Sequence, residues 1–337
     1  MGAVHNLQQN LLGMKLRPIP VRNLAILEHA LSDIFSFNNG AFELTIPAET
    51  PIHKNLISKL AKNGVKQLYI FEEDLVQLNH LIKEKMIKIT RSLSIGDFEK
   101  NTKTQITLMS LHLKNLYQNP FNDENLDVQY KCTSNLAKLL IENKNLGPYL
   151  YAQLKKQNHH FIISQPILSS LLLLGYLKHL AVFQNSEMEN LFITSMMKDL
   201  GISFVPQDKL NKSNLSTEEK KLFSLHPESS KSILSGRVPL SRNYLSIIEN
   251  HHHFNPQITQ IISNSYTQEH VPSNLVGFET LVVAMMDILV AMTEGRPYRA
   301  KCSLFESLDL IKKLMIKEYP HEFKTLVIYL RQFFSNF

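Results

Sequence analysis

Cysteine, glycine and long apolar runs are all in short supply in this chain, and each shortage removes a class of protein. Only Cys132 and Cys302 occur in 337 residues. Two thiols without Cys-x-x-Cys spacing exclude a disulfide framework and a cysteine-ligated zinc site, and they fit a reducing cytoplasm. The 11 glycines fall well below the usual share of about 7%, which argues for a mostly helical protein. The most apolar stretch, Pro166 to Leu177, runs for 12 residues before Lys178 and His179 interrupt it. That is too short to span a bilayer, so a buried helix is expected. The first residues carry no apolar signal-peptide core, and a cytoplasmic location is the expectation. Charge of one sign is also sparse. A net charge of +6 mildly favours an anionic ligand such as a nucleotide, but is too dilute to predict specific nucleic-acid binding.

After a loosely held lead-in over Met1 to Leu16, alternation predicts two strands, Ser32 to Phe37 and Ala41 to Ile46. They are joined through Asn38-Asn39-Gly40, where Asn-Gly supplies the positive φ angles of a tight hairpin. Pro51 opens a short helix that Asn63-Gly64 stops, and Val65 to Phe71 reads as a further strand. Residues 1–72 are therefore expected to form a small α/β module. Glu72-Glu73-Asp74 then places acid in the first turn of a long helix, which the helix dipole favours. Leu75, Leu78, Ile82, Met86 and Ile89 recur along it at helical spacing. Ser92 to Lys103 reads as a joint, and two amphipathic helices follow near 104–117 and 124–143. These make 73–150 a set of linker helices, with Gly147-Pro148 at its end. From there to 337 only helices are predicted, near 149–157, 162–181, 187–199, 217–224, 228–235, 241–251, 277–293, 303–317 and 322–335. The segment 254–276, with Pro256 and Pro272, is expected to be irregular. The fold class is mainly α.

Histidine is concentrated where those helices end. Nine of the 14 histidines lie beyond residue 150, and His251-His252-His253 stand side by side after the apolar run Ile247-Ile248. Neutral imidazole is the commonest protein metal ligand, while a polar helix C-terminus also welcomes histidine. With Asp199, His226 and Asp287 at other helix ends, a bundle that gathers carboxylate and imidazole around a metal is the expected use.

Four segments over about 155–320 carry a family resemblance. They are Met197-Lys198-Asp199-Leu200-Gly201 with Val205-Pro206; Leu210-Asn211-Lys212 through Ser216-Thr217-Glu218-Glu219 to His226-Pro227-Glu228; Ile248 to His252; and Asp287 to Thr293 with Arg296-Pro297-Tyr298-Arg299. In this order and spacing they resemble the HD-GYP branch of the HD-domain phosphohydrolases. The resemblance implies an all-helical HD-type domain over 151–337, a two- or three-metal centre, and hydrolysis of cyclic di-GMP. It places Asp199, His226, His251, His252 and Asp287 at ligand positions, with His160 or His159 for the family's early histidine. Arg296 and Arg299 are the candidates for a phosphate contact. Pro18-Ile19-Pro20-Val21 and Gly64-Val65 weakly resemble small regulatory modules that precede such domains, and an unrelated α/β module is the alternative.

The departures from the family pattern bear on activity. Lys198 stands where a metal-binding histidine belongs, so Lys198-Asp199 is a degenerate form of the HD pair. A protonated lysine has no lone pair to give. At about 4 Å from a divalent ion its charge would cost roughly 8 kcal/mol at an effective dielectric near 20. It swings away, loses its proton, excludes a metal, or replaces one by pairing with Asp199. Ile202 replaces a phosphate-contacting lysine, Val290 replaces a second aspartate, and no Gly-Tyr-Pro loop follows His253. The expected function is a degenerate cyclic di-GMP signalling protein with lost or weakened phosphodiesterase activity, acting through a bound nucleotide or a protein partner. The alternative is a divergent metal-dependent phosphodiesterase. Iron or manganese at one or two sites, or no metal, are the cofactor states this allows, and a homodimer is compatible with it.

Overall fold

The computed structural model describes residues 15–92, 98–143, 145–157, 159–263, 277–296 and 299–335. The lead-in before residue 15, the middle of the joint, residues 264–276 of the segment after the triple histidine, and Pro297 and Tyr298 lie outside the described residues. The chain divides into two compact units, 1–86 and 87–337.

In the first unit, β1 (Leu16–Pro20), β2 (Ile34–Asn38), β3 (Ala41–Ile46) and β4 (Gln67–Phe71) form one antiparallel sheet in the order β1-β4-β2-β3. A 3-10 turn (Val21–Ile26) follows β1, and helix α1 (Lys54–Lys62) precedes β4. Asn39 and Gly40 turn the β2–β3 hairpin with φ of 48° and 82°, as the Asn-Gly pair predicts. Ile19, Leu24, Ile34, Ile46, Leu68 and Ile70 form its buried centre. Strand β1 is not anticipated by the sequence, because Pro18 and Pro20 each remove a ladder donor. It occupies a sheet edge, the position where proline is tolerated. Helix α2 (Glu72–Ser92) then carries the chain onward.

Among the described residues of the second unit, all regular structure is helical apart from an isolated Arg296–Arg299 bridge. In chain order come α3 (Phe98–Gln118), α4 (Asp123–Glu142), α5 (Leu146–Lys156), α6 (Phe161–Leu180) and α7 (Asn185–Met197). A 3-10 turn (Leu200–Phe204) leads to α8 (Gln207–Leu210), α9 (Thr217–Ser224), α10 (His226–Leu234), α11 (Arg242–Asn250) and α12 (Asn255–Ile262). The chain closes with α13 (Phe278–Thr293), α14 (Leu304–Met315) and α15 (Pro320–Phe334).

Helix α6 is the centre of this unit. Helices α5, α7, α13 and α15 all pack on it. Residues Ile163 to Leu174, Tyr176 and Leu177 are buried, so it is apolar all round rather than striped. By length and composition it could cross a membrane, but 72% of its apolar window is buried among its neighbours, which is the condition of a core helix.

Helix α12 departs from the sequence reading. Pro256 was expected to mark irregular chain, yet it sits in the first turn, where its fixed φ suits a helix and its missing N–H costs nothing.

Candidate metal centre

The site forms where three helix ends meet. Helix α7 stops at Met197, leaving Lys198 and Asp199 at the bend into the 3-10 turn. His226 opens α10 with Pro227 behind it, and His251 closes α11. Gly201 makes the approach of the first two possible. Its backbone N–H donates to Ser230 Oγ at 2.7 Å, and a Cβ at 201 would lie 2.2 Å from the His226 carbonyl oxygen. Gly201→Ala must therefore push the 3-10 turn off α10 and Asp199 off His226. Overpacking of this kind costs about 1–3 kcal/mol. We expect that loss by chemical denaturation, with at least a tenfold fall in divalent-metal affinity by calorimetry; unchanged metal affinity would disprove this role for Gly201.

Asp199, His226, His251 and His252 offer four ligand atoms that all lie within 4.8 Å of one another. Asp199 Oδ1 is 3.2 Å from His226 Nε2 and 3.3 Å from His251 Nε2. His226 Nε2 is 3.3 Å from His251 Nε2 and 3.2 Å from His252 Nε2. A tetrahedral ion with ligand bonds of 2.0–2.1 Å has edges of about 3.3–3.4 Å, and Asp199, His226 and His251 match one face of it while His252 meets it through His226.

The backbone sets the tautomers. His226 Nδ1–H donates to the Phe223 carbonyl and His251 Nδ1–H to the Ile248 carbonyl, each at 2.6 Å. That leaves both Nε2 atoms as lone pairs facing each other, an arrangement that calls for a cation between them. Burial, then the nearby His251 and His226, push the His252 imidazole down to about 3. It is neutral at physiological pH and carries a lone pair for a metal. Asn255 Nδ2 lies 3.0 Å from its Nδ1.

Lys198 fills the other half of the centre. Its side chain is fully buried, and Nζ lies 2.5 Å from Asp199 Oδ2 and 2.6 Å from Asp287 Oδ1. Asp199 thus spans two cationic places, with Oδ1 toward the imidazoles and Oδ2 toward the ammonium. Burial alone would lower Lys198, but the charges of Asp199 and Asp287 outweigh it and raise its pKa, so it stays protonated. Burial alone would raise both carboxylates. The Lys198 charge overcomes that and holds Asp199 well below the usual carboxylate range and Asp287 below it too. The donor set therefore fits one metal ion. It does not fit a second beside it, because an ammonium group already occupies that place.

The remaining candidates lie outside the four-donor group. His160 caps α6, accepting from the Ile162 N–H, and its Nε2 is 3.1 Å from Asn211 Oδ1. His159 Nε2 is 2.8 Å from Gln157 Oε1 and 3.1 Å from Ser110 Oγ. Arg296 and Arg299 exchange backbone hydrogen bonds of 3.0 and 3.1 Å. The Arg296 guanidinium lies over Phe161 and donates to Gln165 Oε1, while that of Arg299 donates to the Ala291 carbonyl.

Two residues of the centre have no motif to announce them. Gln165 donates to Asp287 Oδ1 at 2.7 Å and so ties Arg296 to the centre. Its only signal is a polar residue just ahead of the longest apolar run. Tyr117, from α3, has a buried hydroxyl with no hydrogen-bond partner among the described residues. Burial, and then the charges of Asp199 and Asp287, raise its pKa.

No family model matches the chain, and no curated protein matches it in sequence. Among solved structures it is similar to Bd1817, a HDG"Y"P protein from Bdellovibrio bacteriovorus. The match covers 94% of this chain and 100% of that one, with a TM-score of 0.61 and 12% identity. Likeness at that identity establishes the fold, and the HD-GYP-type fold expected from the four sequence segments is the one observed.

Proposed function

We propose that this protein is a degenerate HD-GYP-type signalling protein. It holds one divalent transition metal, iron or manganese, and binds cyclic di-GMP or a related nucleotide, or a protein partner, without hydrolysis. The observation that carries this reading is the Lys198 ammonium lying between Asp199 and Asp287. A bound ion at Asp199, His226, His251 and His252 would supply Lewis-acid polarisation of a phosphate oxygen. Hydrolysis needs, in addition, a group that takes a proton from water. Lys198 is held protonated by its two carboxylates, so it is neither ligand nor base. Asp199 and Asp287 are in turn held as anions by Lys198, with pKa values lowered so that neither is a strong base toward water.

The helices of 73–150 are proposed to carry the state of this centre, and the 1–72 module to supply or receive the signal. In support, α3 brings the Tyr117 hydroxyl within the electrostatic reach of Asp199 and Asp287. The second reading, a divergent phosphodiesterase, rests on the four donors lying within 4.8 Å of one another. Incubation with cyclic di-GMP and either manganese or ferrous iron separates the two. We expect no turnover above the metal-only background. Turnover that Asp287→Ala abolishes would overturn the proposal in favour of the enzyme.

A further inference from the structure

A line of polar side chains leads from the buried ion triad to the chain just after α13. The Lys198 ammonium lies 2.6 Å from Asp287 Oδ1. The same oxygen accepts from Gln165 Nε2 at 2.7 Å. Gln165 Oε1 accepts in turn from the Arg296 guanidinium, which lies 4.3 Å from the centre of the Phe161 ring. Lys198 is fully buried, Gln165 is 9% exposed and Arg296 is half-buried, so the line runs from the interior toward the surface.

The Gln165 amide can stand only one way in this line. A carboxylate offers only acceptors and a guanidinium only donors, so a reversed amide would set like against like at both ends. Its place is fixed as well, because Gln165 belongs to α6 and Asp287 to α13, and the two helices pack together. Arg296 lies beyond α13, in the isolated bridge with Arg299. Asp287 Oδ1 is shared between the ammonium and the amide. Whatever changes the charge facing that oxygen therefore changes the bond it accepts from Gln165. Hydrogen bonds in a chain polarise one another where the dielectric is low.

We propose that Gln165 is a positioning residue that passes the charge state of the centre to Arg296. The proposal rests on the reading of the histidine cluster as a signalling centre, and it names the path by which that centre is read. When Asp199 turns its charge to an ion on the imidazole side, Lys198 leans on Asp287. Asp287 then holds Gln165 less tightly, and Gln165 becomes a weaker acceptor for Arg296. The guanidinium is released toward an anion. By linkage, an anion held by Arg296 favours the ion at the imidazoles by the same factor.

NMR of the full chain with labelled arginine tests it, by reading how fast the Arg296 guanidinium rotates about its Cζ–Nε bond. The signal is assigned by its loss in Arg296→Lys. We expect zinc, titrated to one equivalent, to speed that rotation several-fold in the wild type. In Gln165→Met the rotation should be fast from the outset, and zinc should leave it unchanged while binding with the same stoichiometry by calorimetry. Gln165→Glu keeps an acceptor for Arg296 but loses the N–H for Asp287, so rotation should be slow again and still blind to zinc. A role in packing alone would leave the zinc response intact in both variants. An equal response in wild type and Gln165→Met, or none in a wild type that binds zinc, would overturn the proposal. Lys198→Met supplies an input that needs no metal. It should alter the rate in the wild-type background and not beside Gln165→Met, and equal changes in both would also overturn the proposal. Failure of zinc to bind would sink the metal-centre reading alone, with the role of Gln165 still decided by Lys198→Met.

Discussion

Lys198→Met is expected to lose about 3–5 kcal/mol of stability in metal-free buffer, because it strips the partner from two buried carboxylates. In a unit of this size that corresponds to a fall in melting temperature of roughly 10 °C. The side chain is fully buried and methionine nearly matches its length, so packing loss is a small part of the effect. The rest is electrostatic. Asp199 and Asp287 would face each other with no charge between them. Adding Asp287→Asn to the lysine variant should recover 2 kcal/mol or so, since it removes the repulsion that the first change exposed. Divalent metal should rescue Lys198→Met more than it stabilises the wild type, because a cation can then enter the place that the ammonium held. Equal stability of Lys198→Met and wild type in the absence of metal would rule out the ion triad as a structural element.

The same pair of proteins should differ in their response to acid. In the wild type, Asp199 and Asp287 titrate below their ordinary value. Depressed carboxylates contribute stability that is complete above the unfolded pKa near 4 and is lost as pH falls through the lower folded value. Lys198 is raised, so its contribution is complete below about 10.4 and is lost only above that. Stability should therefore hold from about pH 5 to pH 9 and decline below 4. Without the lysine, two buried carboxylates share one site and one of them prefers a proton. The variant should then become more stable, relative to wild type, as pH falls from 7 toward 5. A parallel pH profile for the two proteins would contradict this assignment.

How far the sequence reveals these features depends on their range along the chain. Helices such as Phe161–Leu180 and Phe278–Thr293 announce themselves through apolar content and flanking polar residues, and their expected bounds differ from those found by a residue or two. Local turn chemistry was equally readable at Asn39-Gly40. Proline reads differently by position: Pro256 predicts irregular chain and instead opens α12, because a first turn tolerates it. His251 and His252 could be read as partners because they are adjacent in sequence. The contact between Gln165 and Asp287 spans 122 residues and exists only through the packing of α6 on α13. No local pattern encodes it. The place of Lys198 was foreseeable as a set of alternatives. Choosing among them needed the two carboxylate distances, which put the ammonium between Asp199 and Asp287 rather than away from them.

Protein purified without a chelator or a histidine tag should contain one transition-metal ion per chain by elemental mass spectrometry, not two and not none. The argument is a charge count on the buried groups. Lys198, Asp199 and Asp287 together carry a net charge of −1 (one cation, two anions). One divalent ion at the imidazole side brings the centre to about +1, where neutral histidines can share the charge. A second would bring it to about +3 and would stand beside an ammonium, a contact worth roughly 8 kcal/mol of repulsion at 4 Å and an effective dielectric near 20. Asp199→Asn should lower the content to near zero, because Asp199 supplies a donor that touches both His226 and His251. Lys198→His should raise it toward two, by exchanging a fixed cation for a lone pair at the same place. Two ions in the wild type would mean that Lys198 leaves the carboxylates in solution, and the case against hydrolysis would go with it. No ion in the wild type, under conditions where the four donors are intact, would mean that protons and Lys198 alone hold the histidine cluster together.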